Sequence, residues 1–115
     1  MYQKAYGEVV ADDFRSERAN EAMAIDHAIG LMREAEAEGM DSVAAVKARH
    51  FVHRLWMYFL DDLSAPENGL PDELKAHLIS IGIWVLRELE DIEKGGKETF
   101  ADIMEVMGIL RDGLK

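Results

Sequence analysis

Two histidines three residues apart, His50 and His53, share one face of a helix and give the strongest local signal for metal chemistry in this 115-residue chain. His27 or His77 could join them in the fold to complete a zinc site. The supporting patterns are missing: there is no HExxH, no Glu-x-x-His repeated on two helices as in di-iron bundles, and no cysteine. The plainer reading puts both histidines at the polar margin of their helix, and no metal or other cofactor is expected. Asp61-Asp62 has the residue types of a catalytic carboxylate pair, but neighbours on a helix point about 100° apart. They are better suited to bounding the loop that follows. Gly95-Gly96 lacks the other residues of a phosphate cradle and reads as a helix terminator. With no nucleophile, base and orienting group on a shared face, no catalytic residue is assigned and an enzyme is not expected.

The elements that carry these residues are set by four breaks: Gly39, the Pro66-to-Pro71 segment, Gly95-Gly96 and Gly113. Helices are expected over about 14–38, 42–63, 71–94 and 99–112, in one all-α domain spanning 1–115, most simply a small antiparallel four-helix bundle with short connections. In the first, Ala22, Ile25, Ile29, Met32 and Ala35 recur at three and four, Asp13 or Ser16 can cap the start, and Gly39 can take the left-handed position at the end. The second starts at Asp41 or Ser42. Its apolar residues, from Val43 and Val46 to Leu63, spread around most of the circumference, so it is either central or partly covered by a partner.

The third helix begins at Pro71, with Asp72 and Glu73 at the positive end of its dipole and a stripe of Leu74, Leu78, Ile81, Val85, Leu89 and Ile92. Gly82 in its middle costs about 1 kcal/mol relative to alanine, a cost usually compensated by close approach of another helix. The fourth has Thr99 as cap and Asp102 in the place of the reciprocal acid. Phe100, Ile103, Met107, Leu110 and Leu114 form its seam, and Met104, Val106 and Ile109 lie off it.

Composition bounds the role. Thirteen Lys and Arg against 23 Asp and Glu leave a net charge of −10, which argues against direct binding of nucleic acid. The first residues, MYQKAYGEVVADD, lack the apolar run of a signal peptide, and no stretch is long enough for a membrane span. A cytoplasmic protein is expected. Seven methionines and the broad apolar sectors of helices two to four fit either a groove for a partner's amphipathic helix or simple central burial.

The run Arg54-Leu55-Trp56 through Asp61-Asp62-Leu63, Pro66-Glu67-Asn68, Leu70-Pro71 and Leu78-Ile79-Ser80-Ile81-Gly82-Ile83-Trp84-Val85-Leu86-Arg87-Glu88 resembles FlaF, a family of flagellar biosynthesis regulators of alphaproteobacteria. Met1-Tyr2-Gln3 with Tyr6, and Ile109-Leu110-Arg111-Asp112-Gly113-Leu114, look like the ends of that family. The specific part is a tryptophan pair bracketing an Asn-x-Leu-Pro turn together with Ile-Ser-Ile-Gly. Val9 to Asn20 carries no matching motif.

The resemblance implies a regulator acting after transcription on flagellin production, by binding protein: flagellin, as a chaperone-like partner, or FlbT, the regulator of flagellin mRNA. An RNA-associated translational regulator is the alternative, and a histidine-based metalloprotein a third. The partner surface is expected on Leu55, Trp56, Phe59, Leu63, Ile83 and Trp84, with Ile103, Met104 and Met107 adjoining. Asn68, Leu70 and Pro71 are expected to shape the turn. The sequence leaves self-association open.

Overall fold

The computed structural model describes residues 14–113, with side chains from Ala19 onward. Four helices make up the fold: α1 (Phe14–Glu38), α2 (Val43–Ser64), α3 (Asp72–Glu93) and α4 (Ala101–Asp112). Among the described residues there is no strand.

Local signals set most of the ends. Gly39, at φ +106°, donates its amide to the Ala35 carbonyl (2.8 Å) and closes α1. Ser42 caps α2: its Oγ accepts from the Ala45 amide (3.1 Å) and donates to the Gly39 carbonyl (2.6 Å). Pro71 is the residue before α3, one position outside its expected place, and Asp72 and Glu73 fill the first turn. Gly95, at φ +82°, ends α3. Ser16 falls inside α1, so it cannot cap it, while Asp13 and Leu114 lie outside the described residues.

The start of α4 departs from the capping box expected of Thr99 and Asp102. Thr99 Oγ1 accepts from the Ala101 amide (3.0 Å), but the acid comes from α1: Glu36 accepts from Thr99 Oγ1 (2.9 Å) and from the Phe100 amide (2.8 Å). Asp102 instead pairs with Lys97 (2.8 Å). A carboxylate supplied by a packed neighbour thus does the work of a local one, and ties the end of α1 to the start of α4.

The closest helix pairs are α1 with α2, α2 with α3 and α1 with α4, so the spatial order is α4, α1, α2, α3. Small residues make the first pairing tight: Ala28 and Ala35 of α1 and Ala44, Ala45 and Ala48 of α2 are all buried. Val43 and Val46 therefore point outward, although they are the larger apolar residues of the same turns. Larger side chains fill the centre, with Trp56, Phe100, Met32, Ile103 and Met107 sealed; each contributes about 1.5–3 kcal/mol by leaving water. Gly82 of α3 is buried against α2, where an added Cβ would come within 2.7 Å of Leu60 Cδ2 and 2.9 Å of Trp56 Cε3. Close approach is the reason for glycine at this position. Val85, Leu89 and Ile92 of α3 belong to the same buried cluster as Ile103 and Met107 of α4.

Candidate functional site

An apolar groove of about 770 Å³ opens at the end of the molecule where α1, the second half of α2, the 65–71 loop, the start of α3 and the end of α4 converge. Its sides come from distant parts of the chain: Ile25 of α1, Trp56, Phe59 and Leu63 of α2, Leu74 and Leu78 of α3, and Ile109 and Leu110 of α4. Trp56 is 2% exposed and packs edge-to-face on Phe59, with centroids 5.3 Å apart. Its indole Nε1–H has no hydrogen-bond acceptor.

The loop that forms the lip is held by one side chain. Asn68 donates through Nδ2 to the Asp62 carbonyl (3.1 Å) and carboxylate (3.3 Å), and its Oδ1 accepts from the Leu70 amide (3.0 Å). This presents Leu70 to solvent on the rim. The charges lining the groove are all acidic, namely Glu21, Asp62 and Glu67, and no lysine or arginine is among the described lining residues.

Leu55, Trp84 and Met104 are half-buried at the margin of the core and line neither this groove nor the second one described below. Ile103 and Met107 lie within the core, because α4 turns that side of its seam toward the other helices. Ile83 is on the opposite face, in a second cleft of about 520 Å³ between α2 and α3. Trp56, Phe59 and Leu63 are the three residues of the expected set that the fold brings together at the apolar groove. Ile25, Leu74, Leu78, Ile109 and Leu110 join them there, and of these Ile109 was already conspicuous for lying off the α4 seam.

The histidines do not converge. His50 and His53 line the α2–α3 cleft, whereas His27 packs edge-on against Phe51 (centroids 4.8 Å) and His77 is exposed near the start of α3. Among the described residues no three His, Cys, Asp or Glu side chains form a group that could hold a metal ion. No helix among them is long and apolar enough to cross a membrane.

These features define a small all-helical protein with an open, acid-rimmed apolar groove. Over residues 2–114 its sequence matches the family of the flagellar protein FlaF, and the chain belongs to that family. It is thus a flagellar protein. No curated protein and no solved structure matches it.

Proposed function

We propose that this chain regulates flagellin production after transcription, in the cytoplasm, by holding an amphipathic terminal helix of flagellin in the apolar groove. The observation that carries the reading is the groove itself: an apolar lining whose charged members among the described residues, Glu21, Asp62 and Glu67, are acidic. Helix-in-groove recognition seats apolar anchors at i, i+3, i+4 and i+7 on such a floor. Acidic rim groups favour a helix flanked by lysine or arginine and disfavour a polyphosphate chain. With a net charge of −10, contact with flagellin mRNA is the poorer route. The protein works by binding, without catalysis or cofactor.

Co-purification with flagellin variants lacking one or other terminal helix tests this. Binding is expected to need a terminal helix and to be lost in the double variant Leu70→Asp/Ile109→Asp, which changes two exposed rim positions. Binding indifferent to both changes would defeat the proposal. Capture of FlbT in place of flagellin would transfer the groove to that regulator. Retardation of flagellin leader RNA by the purified chain alone, in a salt-sensitive way, would return the function to RNA contact.

A further inference from the structure

The outward face of α2 carries a row with coiled-coil spacing. Val43, Val46, His50, His53 and Met57 follow one another at three, four, three and four. Val43, Val46 and Met57 are 71%, 52% and 49% exposed, and both histidines are exposed. The adjoining face of α3 has the same kind of row in Ile79, Ile83, Leu86, Glu90 and Glu93, with Ile83 44% exposed. Single exposed apolar residues are ordinary on a protein surface. Two parallel rows with seam spacing, flanking one cleft, are the pattern of a helix pair that packs against other helices.

Two contacts fix the register of the pair. The Arg49 guanidinium lies 3.9 Å from the Glu93 carboxylate, and Gly82 lies against Leu60. The helices are therefore antiparallel, with Arg49 level with Glu93 and Met57 within one turn of Ile83. Near the Arg49 end charge divides along the same line, with Arg49 and His50 on the α2 side and Glu90 and Glu93 on the α3 side, while Arg87 lies one turn further along α3. The Arg49–Glu93 pair is long, and the Glu93 side chain stays 69% exposed.

We propose that this face is a homodimer interface, in which α2 of each copy lies on α3 of the other about a two-fold axis parallel to the helices. Such an axis keeps every residue at its own height while exchanging the sides, so Arg49 and His50 of one copy meet Glu93 and Glu90 of the other, twice over. Met57 meets Ile83 in the same way. The balance of charge favours self-association here: Arg49 and Arg87 offset Glu90 and Glu93 in this cleft, and two chains of net charge −10 repel least where the local charge cancels. By this register α2 and α3 run side by side over about 16 residues, about 24 Å, and present roughly 500 Å² per copy. That amounts to about 1,000 Å² in total, the low end for a specific contact and the size of a weak, concentration-dependent dimer.

Sedimentation velocity of the full chain over a concentration series tests the proposal, with circular dichroism confirming that each variant keeps its helices. A concentration-dependent dimer is expected. Ile83→Asp should raise its dissociation constant at least about tenfold, and Arg49→Glu or Glu93→Arg alone by about a hundredfold. Mixing Arg49→Glu chains with Glu93→Arg chains should restore a heterodimer, because the pairs between chains are repaired while those within each chain are not. A monomer at every concentration overturns the proposal, and so does a dimer that these variants leave intact. Because all the substitutions lie on the face away from the apolar groove, loss of the dimer with flagellin binding retained separates this inference from the proposed function.

Discussion

Helix α2 borders both the apolar groove and the α2–α3 cleft, and its two sides have been given different chemistry. Toward the apolar groove, α2 presents Trp56, Phe59 and Leu63, and the charged lining residues described around them are acidic. Toward the α2–α3 cleft it presents Val46, Arg49, His50 and His53, facing both acidic and basic groups on α3. The groove is built from five segments and has a sealed tryptophan at its floor, whereas the cleft is built from two helices and is largely surface. A site assembled from many segments depends on the whole fold. A site on two adjacent helices depends on little beyond their pairing.

Deleting a side chain on each side gives the sharpest test. Trp56→Ala removes the floor of the groove and a large part of the core, and should cost about 3–5 kcal/mol in urea denaturation. His53→Ala, an exposed position on the other side of the same helix, should stay within about 0.5 kcal/mol. Comparable losses at the two positions would break the contrast.

Glycine substitutions carry the same test to backbone contacts, with opposite signs. Gly82→Ala gains roughly 1 kcal/mol of helix propensity but drives a methyl group into the Trp56 ring and Leu60, an overpacking cost of about 1–3 kcal/mol. The net expectation is a loss of about 1 kcal/mol. Gly30, inside α1, has no atom within 4 Å of an added Cβ, so Gly30→Ala should stabilise by up to about 1 kcal/mol. Thermal unfolding of the two variants beside the parent chain measures both signs.

What the sequence disclosed, and what it withheld, follows the same division between local and assembled features. The ends at Gly39, Ser42 and Gly95 were legible because each depends on groups within a few residues. The approach at Gly82 was legible because glycine inside a helix calls for a reason. The cap of α4 was not, since Glu36 reaches Phe100 across 64 positions and nothing near Thr99 signals it. The inward face of α2 was also hidden. Hydropathy favours Val43 and Val46 over Ala44, Ala45 and Ala48, yet close packing on α1 selects the small residues and turns the valines out. For the groove, Trp56, Phe59 and Leu63 could be named from a broad apolar sector. Ile103 and Met107 could not be separated from them, because one apolar helix seam reads alike whether it faces a core or a partner.

The assembled cap supplies the next prediction. Glu36→Ala leaves the Phe100 amide and Thr99 hydroxyl without their acceptor, and should cost about 1 kcal/mol, in line with other cap losses. Hydrogen exchange should show faster opening of α4 than of α2. Because α4 lends Ile109 and Leu110 to the groove and no described lining residue to the α2–α3 cleft, the flagellin binding proposed for the groove should weaken while the proposed dimer holds.

The smallest expected effect concerns the link between α3 and α4. Lys97 stands in the connection and donates to Asp102 of α4 (2.8 Å) and to Glu88 of α3. The hydrogen bond to Asp102, then that to Glu88, holds the ammonium pKa above the ordinary lysine value of 10.5. A pKa raised on folding means that the folded chain binds the proton more tightly, so the contribution is full below pH 10.5 and fades as pH climbs from there through the raised value. Lys97→Met should therefore lower the urea midpoint slightly at neutral pH, and the gap to the parent chain should narrow above pH 10.5. Taking the difference between the two chains removes the titration of the other lysines and tyrosines. A gap that stays constant into strong alkali would mean that the charge of Lys97 does not carry the difference.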